Sequence, residues 1–169
     1  MAVTAATPNN IVIGAGEVYV NTTGGGATTD NNVFRVVHDM FVPDLNGVKG
    51  ALIGTDYITN ETAEMEVTLV EIGADTIDLM IPGATTTGST LSSDDTRRVG
   101  TASYNDYELR VPRYNGGNFS FQVDNAINTG NAEYEAADDG MLAPRITVQG
   151  RWDPADLTDG PWRIVITSS

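Results

Sequence analysis

Side-chain catalysis needs a titrating base, a nucleophile, or grouped ligands for a metal, and this sequence offers few candidates for any of them. It has no cysteine, which removes disulfides, thiolate metal sites and cysteine nucleophiles together. His38 is its single histidine, so a histidine-rich metal site or a charge-relay triad would rest on one residue. Val36, His38, Met40 and Val42 share one face of a predicted strand, where a half-buried packing role suits His38 better than catalysis.

Gly14-Ala15-Gly16 has the look of an opening dinucleotide-binding turn. The third glycine is missing, Tyr19 stands in its place and no helix follows, so backbone freedom within a strand is the simpler reading. Asp153, Asp156 and Asp159 recur like ligands. A calcium loop needs carboxylates at alternate positions and a closing bidentate glutamate, and neither is present. Helix capping accounts for Asp153 and Asp156. Asp94-Asp95 and Asp138-Asp139 fall in polar stretches that read as solvated loops. Glycoside hydrolysis would need two acids in one cleft, one with a raised pKa, and nothing here brings two together. The expectation is a protein that is not an enzyme, with no catalytic, cofactor-binding or metal-binding residue assigned.

Charge narrows the partners. Nine basic against 23 acidic residues leave −14, a balance that repels phosphate backbones and anionic membrane surfaces. Arg97-Arg98 is the only adjacent basic pair, and no basic stripe with interleaved aromatics exists. Residues 1–10 carry neither a basic residue nor an apolar core, so no signal peptide is expected. Apolar runs are too short for a membrane-spanning helix, so no membrane anchor is expected. The sequons at Asn21, Asn60 and Asn118 matter only in an exported chain.

The elements that would position any site are strands. At 169 residues the chain is long enough to bury roughly 70% of its unfolded surface in one domain, with 1–10 as an extended N-terminal arm. Short alternating runs separated by glycine and asparagine predict a mainly β fold. Ile11 to Val20 and Phe34 to Val42 read as strands, with a loop at Gly24-Gly25-Gly26 between them. Thr62 to Val70 alternates most cleanly: Ala63, Met65, Val67 and Leu69 on one face, Thr62, Glu64, Glu66 and Thr68 on the other. Ala74 to Ile81 predicts the one helix, capped by Asp75 and stopped by Pro82-Gly83. Thr85 to Asp95 reads as a loop or weak edge strand.

Tyr107 to Val111 and Asn118–Asp124 predict a hairpin turning at Asn115-Gly116-Gly117, with Phe119, Phe121 and Val123 inward and Ser120, Gln122 and Asp124 outward. Asn125 to Gly140 reads as a long loop. Arg145 to Trp152 alternates again, with Ile146, Val148 and Trp152 inward. Asp153-Pro154-Ala155-Asp156 predicts a single helical turn, and Trp162 to Ile166 a last strand.

The order of these pieces resembles the major tail-tube proteins of long, non-contractile-tailed phages. The resemblance runs over nearly the whole chain. Gly14 to Val20 matches an opening "GAGEVYV"-like strand, and Asp44 to Gly50 the "DG-V-G" end of a long hairpin loop. Glu64 to Ala84 matches an alternating strand and short helix finishing in "PGA". Ile146 to Asp156 and Pro161-Trp162-Arg163-Ile164 match a "VTF-A--DPAD---PW-I" ending. Some members of that family carry an immunoglobulin-like C-terminal domain, and with the sequence read to Ser169 none is expected here.

The resemblance implies a tail-tube-type β-sandwich or barrel with one short flanking α-helix and a long stacking hairpin loop. It implies a virion protein, assembled in the host cytoplasm, whose hexameric rings stack into the tail. Its partners would be further copies, the tape-measure protein, the tail terminator and distal tail proteins. Double-stranded DNA would pass through without specific binding, and no cofactor is implied. About 24 strands at roughly 4.8 Å would enclose a channel about 37 Å across before side chains are counted. Glu64, Glu66 and Thr68 would face that lumen. Pro43, Asp44, Leu45, Asn46, Gly47, Val48, Lys49, Gly50, Asp56 and Tyr57, within the segment from Pro43 to Asn60, would form the inter-ring stacking loop. The alternative is a virion-surface β-sandwich that binds a capsid or a carbohydrate, with aromatics of the Tyr104–Tyr114 region as a sugar platform.

Overall fold

A computed structural model describes residues 14–29, 31–43, 53–54, 56–70, 81–87, 90–93, 99–114, 116–130 and 144–168. They form ten strands: β1 (Glu17–Val20), β2 (Thr23–Ala27), β3 (Val33–Phe41), β4 (Tyr57–Thr68), β5 (Ala84–Thr87), β6 (Thr90–Ser93), β7 (Asn105–Pro112), β8 (Asn118–Asn128), β9 (Arg145–Gln149) and β10 (Trp162–Ile166). The only helical piece among the described residues is a 3₁₀ turn at Thr101–Ser103. The predicted N-terminal arm, the segment 44–50 and the helix Ala74 to Ile81 lie outside the described residues, apart from Ile81, which packs partly on the core.

Eight strands make one antiparallel sheet in the order β2-β1-β7-β8-β9-β4-β3, with β10 also on β8; β5 and β6 form a separate ribbon. β8 serves both halves. Phe119–Val123 pairs with β10, whereas Ile127 and Asn128 pair with β9. The sheet therefore folds over on itself at β8. Val18, Leu109 and Val123 from one half meet Met65, Val67 and Val148 from the other in a single cluster. A bridge between Thr28 and Leu69 ties the end of β2 to the end of β4. The Thr29 N–H donates to the Thr68 carbonyl and the Val70 N–H to that of Ala27, both at 2.9 Å.

The alternation of β4 is what seats it. Ala63, Met65 and Val67 are buried, and each large apolar side chain so removed from water contributes about 1.5–3 kcal/mol. Ile146 and Val148 do the same from β9, and Tyr107, Leu109 and Val111 from β7. Gly16 fits only as glycine, because a Cβ there would collide with the Arg110 carbonyl.

Several expectations are corrected. Gly24-Gly25-Gly26 is part of strand β2, because β1 has a free side of backbone groups that this segment satisfies despite its weak propensity. Asn125–Asn128 continues β8 where a loop was predicted. Asn125 absorbs the irregularity at φ 48°, which asparagine tolerates, and Ala126, Ile127 and Asn128 are buried beyond it. Tyr57 to Asn60 belongs to β4 and not to a loop; tyrosine, isoleucine and threonine suit a strand, and β3 pairs with them. Asp153 to Asp156 is a turn and no helix grows from it. The Asp153 carboxylate accepts the Ala155 N–H at 2.8 Å, and the Asp153 carbonyl accepts the Asp156 N–H at 3.1 Å. Trp152 is exposed and outside the core cluster, since β9 ends at Gln149 and alternation no longer governs its direction.

Candidate functional site

The outer strands of the sheet differ in kind. β2, β3 and β10 each have one neighbour among the described strands. β2 is blunted by its glycines and by a register shift against β1. Neither β3 nor β10 contains lysine or proline, and both expose large apolar side chains: Val37, Met40 and Phe41 on β3, Ile164, Val165 and Ile166 on β10. Ile166 is 60% exposed and Phe41 55%, values at odds with an edge kept free of partners.

The far end of the β3–β4 ribbon is open on both faces. Val37 to Val42 and Tyr57 to Asn60 are exposed, with a register shift between Asp39 and Met40. Asn60 and Thr59 bind back to Asp39, at 3.3 Å to its carboxylate and 3.1 Å to its carbonyl. Of the predicted stacking residues, Pro43, Asp56 and Tyr57 sit at this end, and Asp44, Leu45, Asn46, Gly47, Val48, Lys49 and Gly50 lie outside the described residues. His38 lies here with 44% of its side chain exposed, 3.6 Å from the Glu61 carboxylate.

Glu64, Glu66 and Thr68 share the face of β4 opposite the core, as alternation requires. Their acidity is offset from the neighbouring strands. Arg35 of β3 lies 2.8 Å from Glu64 and 3.9 Å from Glu66, and Arg145 of β9 contacts Glu66. Two guanidiniums thus answer two carboxylates. The sequence signal was present, since Arg35 and Arg145 alternate onto this face, but pairing β3 and β9 to either side of β4 needed the topology.

Between β3 and β10 runs an aromatic seam. The Phe34 ring is 5.4 Å from that of Phe121 and 6.3 Å from that of Trp162, and Phe119 stacks on Phe121 at 6.3 Å. The Trp162 indole N–H donates to Glu61 at 2.9 Å. In register, Ile164 and Ile166 lie beside Phe121 and Phe119, so the exposed side of β10 continues this seam.

The opposite face of β7 and β8 carries a polar cluster. Arg110 holds Glu108 through two hydrogen bonds, at 2.8 and 2.7 Å, and its guanidinium lies 3.8 Å from the centre of the Tyr19 ring. The Ser120 hydroxyl donates to Glu108, and Gln122 donates to Ser120 at 3.2 Å. Ser120, expected outward and wet, is buried under these side chains. The Arg110 hydrogen bond, helped by that of Ser120, holds the Glu108 carboxyl below its ordinary pKa, so it is an ionised acceptor and not a general acid.

The Tyr104–Tyr114 platform is broken up: Tyr107 is a core residue, while Tyr114 is exposed and Tyr104 half-buried. Among the described residues no three histidine, aspartate or glutamate side chains are grouped to hold a metal. No helix among them is long and apolar enough to cross a membrane. Compared with known proteins, the chain matches no family model and no curated sequence.

Proposed function

We propose that this chain is a structural subunit that polymerises into stacked hexameric rings, forming a phage-type tail tube through which double-stranded DNA passes. The observation that carries the reading is the pair of outer strands with exposed large apolar side chains, β3 and β10, in one small protein. A closed ring needs two different complementary patches on each copy, and these edges are two different strands. Adding strand to strand around the ring satisfies the free backbone groups of both and covers Val37, Ile164 and their neighbours.

The face carrying Glu64, Glu66 and Thr68 is assigned to the lumen. With Arg35 and Arg145 beside the two glutamates, such a wall offers a phosphate backbone no net attraction, so DNA slides past uncaptured. The open end of the β3–β4 ribbon, at Pro43, Asp56 and Tyr57, is assigned to contact with the next ring. Tape-measure, terminator and distal tail proteins would meet the tube at its interior and ends, and no catalytic step is involved.

Negative-stain electron microscopy of the purified protein at about 0.1 and 1 M salt tests this, because high salt screens the repulsion between copies each carrying −14. Hollow tubes or six-fold rings at the higher salt are expected. Particles of monomer size under both conditions count against assembly, and retention of those particles on a glycan column would transfer the reading to a carbohydrate-binding module.

A further inference from the structure

At the end of the molecule where β9 runs out, Tyr104, Asn125, Arg151, Trp152 and Asp153 line a cavity of about 590 Å³. Trp152 is 41% exposed, and none of the ring contacts among the described residues involves it. A second depression on the side of the β3–β4 ribbon, lined by Ile58, Asn60 and Glu61, also has Trp152 in its wall, so the indole stands between two hollows. An indole in this position offers a large contact surface.

Charge selects the occupant. The cavity shares Asn125 and Asp153 with a smaller hollow lined by Asp106, Asp124, Asp156 and Asp159. Five of the seven described aspartates are therefore gathered here. Arg163 answers one of them, at 2.9 Å from Asp124, and Arg151 is turned to Gln149 and the Gly150 carbonyl. On the sheet faces, Arg35 and Arg145 serve Glu64 and Glu66, and Arg110 serves Glu108. Five aspartates and two arginines thus gather around an open indole, an excess of negative charge.

We propose that this cavity is a docking site for a basic segment of another protein, taking an arginine or lysine side chain against Trp152 with the neighbouring aspartates as counter-charges. An indole face attracts a cation, and the carboxylates raise the local concentration of cationic partners. A second copy of the chain, itself at −14, is a poor occupant by the same argument. The inference does not depend on the tube reading, since Trp152 and Asp153, which would meet the ligand, lie on neither open strand edge.

A fluorescent arginine-glycine peptide, titrated into the full chain and followed by anisotropy, tests it against serine-glycine and glutamate-glycine peptides. Selective binding of the arginine peptide is expected. Trp152→Ala should weaken it about tenfold, with partial recovery in Trp152→Phe. The pair Asp153→Asn and Asp159→Asn should also weaken it about tenfold, while Glu17→Gln with Asp39→Asn, the same charge loss elsewhere, changes it less than about twofold. The side-chain amide introduced by Asp153→Asn keeps an oxygen for the Ala155 N–H, so the turn is retained. The proposal is overturned if the control pair weakens binding as much as the site pair, or if Trp152→Ala binds normally with an unchanged circular dichroism spectrum. It is equally overturned if the serine-glycine peptide, a neutral oligosaccharide or a second copy of the chain occupies the cavity in place of the arginine peptide.

Discussion

Arg35 stands directly opposite Glu64 in the β3–β4 ladder, with its guanidinium 2.8 Å from the carboxylate. The pair places a cation within a row that alternation alone reads as acidic. Because Arg35 is half-exposed, the interaction contributes less than about 1 kcal/mol to folding, and Arg35→Gln should move the urea midpoint little. Its effect is on the charge of the face. Assembled wild-type protein should not retard duplex DNA in a gel, whereas Glu64→Lys with Glu66→Lys should retard it, with binding lost as salt is raised. Retardation by the wild type, or none by the lysine variant, would remove this face from the lumen.

Phe34 holds β3 against the other half of the sheet through Phe121 and Trp162. Phe34→Ala should lower stability by about 3 kcal/mol in urea titration, combining lost burial with lost ring contacts. Leu157→Ala, at an exposed position, should change it by less than about 0.5 kcal/mol. Equal effects would mean that the seam does not hold the two halves together.

Gly117 has φ 72°, and a Cβ there would run into the Thr167 backbone oxygen. Gly117→Ala should therefore destabilise by at least about 2 kcal/mol. Hydrogen exchange at the Thr167 N–H, which donates to the Asn118 carbonyl at 3.0 Å, should quicken first, because the end of β10 is anchored there.

Acid should weaken the fold partly through Glu108. Its folded pKa is held below the ordinary 4.5, chiefly by Arg110, so the folded state favours the ionised form. The stability this supplies is present above pH 4.5 and is lost as pH falls from there through the depressed folded value. Glu108→Gln should make the acid limb of the stability curve shallower. An unchanged limb would mean that other carboxylates carry it.

Much of the framework is legible in the residues. β4, β7 and β9 follow from period-two alternation, because Met65, Leu109 and Val148 each sit on a strand with one dry face. Gly24 to Gly26 and Asn125 to Asn128 are not legible, since what makes them strands is an unsatisfied neighbour and not their own propensity. Ser120 misleads for a related reason. Its burial comes from Glu108 and Gln122, polar side chains lying over a face that alternation marks as wet. The charge balance around Glu64 depends on which strands flank β4, and the exposed state of Trp152 on where β9 stops. Alternation sets which way a residue points, and only the strand order sets what it meets.

The central claim is that copies join β3 to β10. The chain has no cysteine, so a double variant with Val37→Cys and Val165→Cys reports only on those two edges. Treated with a short bis-maleimide after assembly, it should give a ladder of covalent oligomers ending at the hexamer, while each single variant stays monomeric. Cross-linked dimers from Val37→Cys alone would instead join β3 to β3 in a two-fold pair that cannot close a six-fold ring, and would contradict the account.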